Sequence, residues 1–440
     1  MLAVTKSGRE YAKMLHLGEN NRNALDVLCA SVLALCPILQ YYIGPFDNAA
    51  ITILIMVLPW FAIRFVARLR NGVRVYRDDR VISGLVLFFI YGAFIHEQTV
   101  KNIVFRLALA ALYLFAVCGC INIKRFISAA ATIAAAACML VIIQTACYYL
   151  LHRHLQIAPT GLFTDKADAW ILLAQTGRIG VTQQMGNLYR PSAFFMEPSH
   201  MFLYTFPHLC IVLLSPYKNR IKRRLAILFS IGLLLSTSGM GIVVTVGVWG
   251  IYFALSSGRK NQLRLKNLFL PGNSIIVLLF LVITVGTLVG IPLLRQSILR
   301  FLDFTTSGAV AGRTRLATAF LKTLRSKDLI FGVTSVIENI GFNMSGFAAT
   351  LYKFGIIGLI LAYWTYVYGV FRVKKQYFWI SVIAFAVSFF SAQTHGTFYM
   401  IYFVFFILEG WNEGRRKRKS KLTPTVYHTN SLIARKEVRV

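Results

Sequence analysis

Three residues with charge-pairing and acid–base chemistry lie within one short stretch of the chain. The sequence LYRPSAFFMEPSH, which ends at position 200, carries Arg190, Glu197 and His200 at the start of a long apolar run. A charged side chain beside a membrane costs free energy and is often functional. The guanidinium and the carboxylate could therefore face a polar substrate, with His200 as a further ligand. Alternatively, Arg190 and Glu197 form an ion pair that holds the two ends of this segment together. The sequence leaves both interpretations open.

The residues that flank this stretch predict local structure. Ser199 is a predicted N-cap of the helix that follows, and Pro198 fixes the direction in which the chain enters it. Upstream, the sequence TDKADAWILLAQ at 164–175 predicts a short surface helix that places Asp165 and Asp168 on one face. Two carboxylates are too few ligands for a metal, and we predict no metal site.

A second basic stretch follows much later in the chain. In the sequence GRTRLATAFLKTLR, at 312–325, Arg315, Lys322 and Arg325 share one helical face and apolar residues share the other. Guanidinium groups bind phosphate through a planar fork, so Arg313 and Arg315 are candidate ligands for an anionic substrate. The alternative role for this amphipathic helix is anchoring at lipid headgroups.

Two further candidates lie at the ends of apolar runs. Lys353 either snorkels towards water or faces the same cavity as the arginines. His395 lies at the last turn between two apolar runs and is a candidate substrate ligand. Four polar residues inside apolar runs are interpreted as helix-contact groups rather than ligands: Arg106, Gln144, His208 and Glu409.

The composition excludes an ordinary soluble domain. Of the 440 residues, 57% are hydrophobic and 14% are charged, whereas soluble domains carry about a quarter charged residues. The 47 Lys and Arg against 16 Asp and Glu would suggest a nucleic-acid partner in a soluble protein. Here the cations mark loops, so no nucleic-acid partner is predicted. All seven cysteines lie in apolar runs, which argues against a disulfide framework.

The apolar runs predict an all-α polytopic membrane protein with about 12 transmembrane helices. The runs are roughly 25–43, 49–66, 81–95, 103–121, 127–151, 200–215, 225–238, 240–256, 274–294, 346–371, 377–391 and 396–412. The pair around Gly239 could instead form one long kinked helix. Lys and Arg concentrate in every second loop, and the positive-inside rule therefore places both termini in the cytoplasm.

This topology leaves two long loops on the outer side of the membrane. The predicted organisation is a cytoplasmic segment 1–24, helices one to five in 25–151, the first outer loop 152–199, helices six to nine in 200–294, the second outer loop 295–345, helices ten to twelve in 346–412, and a basic, disordered cytoplasmic tail 413–440. The candidate ligands outside the cytoplasm fall mostly in these two loops.

The order of these motifs resembles the O-antigen polymerase (Wzy-type) and O-antigen ligase superfamily of bacterial membrane proteins. The matching features, over roughly residues 80–410, are Arg190 with FxEPS at 195–199, STSG at 236–239, Gly312-Arg313, LIFGV at 329–333 and FGIIGL at 354–359. The resemblance implies a GT-C-like fold with two long periplasmic loops in the inner membrane. It also implies a glycan substrate carried on undecaprenyl pyrophosphate, whose diphosphate Arg190, Arg313 and Arg315 engage.

The resemblance favours a polymerase that joins oligosaccharide repeat units into O-antigen, capsule or exopolysaccharide. Ligases carry a histidine at the position of Met344, and its absence here argues against ligation. Arg190 and Arg313 would stabilise the departing diphosphate and Glu197 would accept a proton, while Arg315, His200, Lys353 and His395 would bind substrate. The implied partners are the lipid-linked donor and acceptor, membrane lipid, a flippase and a chain-length regulator; no cofactor is expected.

Three alternatives stay open at this point. A ligase would transfer the glycan to lipid A core or protein. A flippase for lipid-linked oligosaccharides would concentrate charge along a central path and have short outer loops, unlike this chain. A structural subunit of a polysaccharide export complex is the third.

Overall fold

The described part of the chain is mostly helical. A computed structural model describes residues 24–70, 80–95, 100–153, 155, 157, 162, 189–214, 220–257, 325–333, 345–373, 376–391 and 398–422. Its elements are α1 (Ala24–Leu39), β1 (Ile43–Gly44), β2 (Asp47–Asn48), α2 (Ala49–Arg70), α3 (Arg80–Phe94), α4 (Val100–Val117), α5 (Ile123–Leu151), α6 (Pro198–Leu214), α7 (Arg220–Leu235), α8 (Gly239–Ser257), α9 (Ser326–Phe331), α10 (Gly346–Arg372), α11 (Gln376–Phe390) and α12 (Phe398–Leu422).

Eleven of the twelve predicted spans coincide with a helix of the structure, and the run 274–294 lies outside the described residues. By length and composition, three helices are long and apolar enough to cross a membrane: Ala49–Arg70, Ile123–Leu151 and Gly346–Tyr368. The other apolar helices are shorter. These helices fit a helical membrane protein, whereas the number of spans and the side on which each terminus lies stay predictions.

The pair 225–238 and 240–256 forms two helices, as the twelve predicted runs had it, rather than one long kinked helix, because Thr237 takes a left-handed backbone conformation (φ 54°) between α7 and α8. One detail differs from the expectations: the start of the basic tail is helical rather than disordered, since α12 continues to Leu422. Arg and Lys are good helix formers, which permits this continuation.

The seven cysteines are free thiols, as expected, and all but Cys147 are buried. They belong to apolar packing rather than to cross-links. The only strands in the described residues form a two-stranded antiparallel hairpin, in which Ile43 pairs with Asn48 and Gly44 with Asp47. This hairpin connects α1 to α2, and the Asn48 side chain caps α2 by accepting from the Ile51 amide at 2.9 Å.

Contacts between helix ends define two opposite ends of the bundle. At the basic end, Arg68 donates to the Cys118 carbonyl at 2.7 Å and Arg64 pairs with Asp26. The exposed residues Lys124 and Arg125 start α5 at this end. At the opposite end, which we call the site end, the Tyr42 hydroxyl donates to the Phe194 carbonyl at 2.6 Å. Arg64, Arg68, Lys124 and Arg125 thus lie at the same end of the bundle.

Tyrosines of α12 fix that helix against α6. The Tyr399 hydroxyl donates to the His200 carbonyl at 3.0 Å, and the Tyr402 hydroxyl donates to the Tyr204 carbonyl at 2.7 Å. Tyr402 also bonds His208 Nε2 at 2.7 Å, which confirms that His208 is a helix-contact group. Since a buried hydroxyl without a partner costs about 1–3 kcal/mol, these bonds fix the register of α12 on α6.

Helix α10 is broken near the site end. Gly355 has φ 62° and ψ −169°, a conformation that essentially only glycine adopts. A break releases backbone groups that must find other partners inside a membrane. The Tyr352 carbonyl accepts from the Val333 amide at 2.8 Å, and the Phe354 carbonyl accepts from the Tyr91 hydroxyl at 3.2 Å. The turn after α9 therefore packs into the break.

The motif LIFGV contains a tight turn at Gly332, which has φ 87° and ends α9. A side chain at Gly332 would collide with the backbone of Lys353, and one at Gly355 would collide with the Ile330 carbonyl. The two glycines thus allow two backbone segments to touch, the turn after α9 and the break in α10.

Candidate functional site

The segment 189–197 is held at three points before it enters α6. The Tyr189 ring stacks on Tyr148 of α5, with centroids 4.3 Å apart. The Ala193 amide donates to Gln144 Oε1 at 2.9 Å, and the Phe194 carbonyl accepts from Tyr42. Ala193 has a left-handed backbone (φ 54°), so the chain turns sharply here. This turn presents Arg190 and Glu197 from a fixed backbone.

Gln144 has a different role from the one predicted. Its side-chain nitrogen donates to the Leu155 carbonyl at 3.0 Å, while its oxygen accepts from Ala193. The partners are therefore the backbone of the segment after α5 and of the turn before α6, rather than another helix. A glutamine near the outer end of a predicted span is a signal for such a role, because its amide matches one free N–H and one free C=O.

Glu197 occupies the N-terminus of α6. Its backbone carbonyl accepts from the His200 amide at 3.0 Å, and its half-buried carboxylate lies where the helix dipole favours negative charge. The Ser199 hydroxyl donates to Glu197 Oε2 at 2.7 Å. The prediction that Ser199 caps the helix is therefore wrong: α6 begins one residue earlier, at Pro198, and Ser199 instead orients the carboxylate.

Arg190 keeps an exposed side chain, although protein atoms crowd its guanidinium. This desolvation lowers the pKa of Arg190, and the nearby Glu197 carboxylate partly opposes the shift. A guanidinium stays protonated at any physiological pH, so the consequence is a poorly solvated, accessible cation. The structure brings Arg190 and Glu197 close together, as both interpretations of the sequence required.

His200 lies beneath this pair in a buried aromatic stack. Its ring is parallel to that of Tyr41, with centroids 4.4 Å apart and planes within 4°. The residue is only 2% exposed, and its Nδ1 has no hydrogen-bond partner among the residues that the structure describes. A buried ring nitrogen without a partner is costly and indicates a ligand or a water at that position.

The Glu197 charge reaches aromatic residues from two distant parts of the chain. It interacts electrostatically with Tyr41, which follows α1, and with Tyr399 at the start of α12. We call Arg190, Glu197, His200, Tyr41 and Tyr399 the first cluster. Sequence reasoning missed the two tyrosines, because an aromatic residue at the end of an apolar run is also typical of ordinary interfacial packing.

Lys353 lies in a different environment, beside Arg106. The two cations are close enough to interact electrostatically, and Arg106 lies over the Phe354 ring with its Cζ 4.8 Å from the centroid. Arg106 Nη1 is buried without a hydrogen-bond partner in the described part of the chain. Arg106 thus contacts a neighbouring helix through Phe354, as the sequence suggested, but the described residues leave its Nη1 unsatisfied. We call Arg106, Lys353 and Phe354 the second cluster.

The other predicted site residues, Arg313, Arg315 and His395, lie outside the described residues. Within the described ranges, no group of three or more His, Cys, Asp or Glu side chains could hold a metal ion.

The first cluster combines a cation, a carboxylate and an imidazole on a fixed backbone. Such a set can bind an anionic group through Arg190, accept a proton at Glu197, and bind a polar substrate atom at His200.

No family model, no curated protein and no solved structure matches this chain.

Proposed function

We propose that this chain is a membrane glycosyltransferase that polymerises oligosaccharide repeat units linked to undecaprenyl pyrophosphate. The observation that carries the proposal is the convergence of Arg190, Glu197 and His200 in one cluster at the end of the bundle opposite the basic end. The resemblance of the motif order to O-antigen polymerases supports the same assignment. A GT-C-like architecture and a location in the bacterial inner membrane, with the site end facing the periplasm, belong to this proposal.

The reaction needs no nucleotide, because a lipid diphosphate is already an activated leaving group. A hydroxyl oxygen of the acceptor sugar attacks the anomeric carbon of the donor glycan. The bond from that carbon to the diphosphate oxygen breaks, and undecaprenyl diphosphate leaves with the electron pair. The hydroxyl proton passes to the Glu197 carboxylate, which the Ser199 hydroxyl orients.

The environment of each side chain suits its proposed role. Negative charge grows on the departing diphosphate, and a cation that is already desolvated stabilises it without rearranging water. Arg190 is such a cation. His200 offers Nδ1 to a polar atom of the bound glycan from a rigid stack on Tyr41. Because the stack and the tyrosine bond to its backbone fix His200, binding there also orients the sugar.

The direct test mixes purified protein in detergent with lipid-linked repeat units extracted from a strain that lacks this chain. We expect a ladder of polymer on a gel. A flippase requires a sealed compartment and a ligase requires a different acceptor, so neither would make polymer here. Persistence of single repeat units with folded protein would reject the proposal. Arg125→Gln, at an exposed arginine of the basic end, provides a matched control that should polymerise normally.

A further inference from the structure

Arg106 and Lys353 form a second cationic site at the same end of the bundle. Arg106 projects from the first turns of α4 and Lys353 from the second turn of α10. Two cations this close to each other raise the local free energy. A bound anion would lower this repulsion.

The guanidinium is positioned and has unused hydrogen-bonding capacity. One face of Arg106 lies on the Phe354 ring, and a side chain at Gly92 of α3 would collide with Nη1. The guanidinium plane of Arg106 is thus held between the backbone at Gly92 and the aromatic ring of Phe354. Nη1 is buried and has no acceptor among the described residues, while Arg106 as a whole is partly exposed. Exposed Lys353 adds a second charge from the neighbouring helix.

The broken helix α10 holds Lys353 beside Arg106. The Tyr91 hydroxyl lies 3.2 Å from the carbonyls of both Phe331 and Phe354 and shares its single hydrogen between them, so it connects α3 to the turn after α9 and to α10. Phe354, the neighbour of Lys353, is thus held by α3. Two cations near each other fit a tetrahedral phosphate group.

The start of α12 connects the two clusters. Phe398 packs against Phe105, the neighbour of Arg106, with ring centroids 5.5 Å apart. The next residue, Tyr399, bonds the His200 backbone of the first cluster. Consecutive Cα atoms are about 3.8 Å apart, so the two clusters flank the same turn of α12. A substrate in one cluster is therefore a near neighbour of a substrate in the other.

We propose that Arg106 and Lys353 bind the diphosphate of a second lipid-linked sugar, the acceptor, while the first cluster holds the diphosphate of the donor. This assignment of the ligand rests on the proposed function, because joining two lipid-linked glycans requires two lipid diphosphates to be bound at once. The charged members of the second cluster are both cations, so its proposed role is to bind a diphosphate rather than to move a proton.

Native mass spectrometry of the purified full chain with undecaprenyl diphosphate tests this proposal by counting bound lipids. We expect two lipids on the wild type, one on Lys353→Gln, one on Arg190→Gln, and two on the control Arg125→Gln. Lys353 is exposed, so its substitution should leave the fold intact, and thermal unfolding checks this. Arg106→Gln should also bind one lipid, and Arg106→Lys should restore part of the loss.

Two lipids retained on Lys353→Gln and Arg106→Gln would overturn the proposal, as would a single lipid on the wild type that only Arg190→Gln removes. Competition arms distinguish the source of the phosphate. Phosphatidylglycerol that displaces the second lipid at equal concentration would make this a general headgroup site and reject the diphosphate assignment. Displacement by inorganic pyrophosphate alone would reject recognition of a lipid. Because binding is counted without turnover, failure of the polymerisation assay would leave this result standing.

Discussion

The two clusters at the site end contain similar cations in different surroundings. In the first cluster, a short turn presents Arg190 beside a carboxylate and an imidazole. In the second, helices α4 and α10 present Arg106 and Lys353 near each other, with Arg106 above an aromatic ring. A cation with a nearby carboxylate can both bind an anion and move a proton, whereas a pair of cations can only bind an anion. On the proposed function, the first cluster is the reacting site and the second the holding site, so similar charges at one end of a bundle would take different roles.

Arg190→Ala should have the largest effect on the polymerisation rate, because it removes the cation from the proposed reacting site. We expect a loss of about 100-fold to 1,000-fold in polymerisation rate, the range observed when one preorganised donor is removed from a reaction centre. Single repeat units should persist in cells and in the purified assay. Arg190→Lys should fail as well, since an ammonium lacks the planar fork that binds two oxygens. Normal polymer length in either purified variant would contradict the assignment.

Glu197→Gln tests whether proton transfer separates the two clusters. We expect the polymerisation rate to fall about 100-fold, while the number of bound lipid diphosphates stays at two. Ser199→Ala is the matched variant: it keeps the carboxylate but removes the hydroxyl that orients it, and a smaller loss is expected. If Glu197→Gln polymerises at the wild-type rate, positioning and Arg190 suffice, and no base distinguishes the reacting site.

Gly355→Ala perturbs the holding site through the backbone. An added methyl group would collide with the Ile330 carbonyl and the Gly332 amide, and the backbone conformation is one that other residues adopt at a cost of about 1–3 kcal/mol. We expect a lower unfolding temperature and the loss of the second bound lipid, with the lipid at Arg190 retained. Gly250→Ala serves as the control, since its methyl group would meet no atom within 4 Å. Equal effects of the two substitutions would contradict this role for the break.

The proximity of Arg190, Glu197 and His200 was predictable from sequence, because these residues are local. Arg190, Glu197 and His200 lie within one turn and the helix start that follows it, so their proximity needs little tertiary information. Tyr41 and Tyr399 could not be predicted, because they approach His200 from α1 and α12. The hydrophobic runs likewise located the helices, since about 20 apolar residues in a row permit few other structures.

The holding site could not be predicted, because it depends on where a helix breaks. The sequence FGIIGL is compatible with a continuous helix. In the structure the helix is broken at Gly355, where the turn after α9 packs against its backbone. Arg106 therefore resembled an ordinary polar residue in an apolar run. The unused signal was the coincidence of Arg106 and Lys353 near the outer ends of their predicted spans, where two like charges need a common reason to be present.

Tyr399→Phe gives the smallest expected effect and sharpens the connection between the clusters. It removes the bond to the His200 carbonyl, which as a helical carbonyl also has a backbone donor, so a loss of about 1 kcal/mol in unfolding free energy is expected. Tyr402→Phe is the matched comparison, because it leaves buried His208 Nε2 without its partner and should cost more stability, about 1–3 kcal/mol. Activity should rank the other way, since Tyr399 belongs to the first cluster, whereas Tyr402 contacts the Tyr399 ring from outside it. A larger loss of polymerisation in Tyr402→Phe, at equal amounts of folded protein, would show that the α6–α12 contact acts as a scaffold and that Tyr399 has no special place in the site.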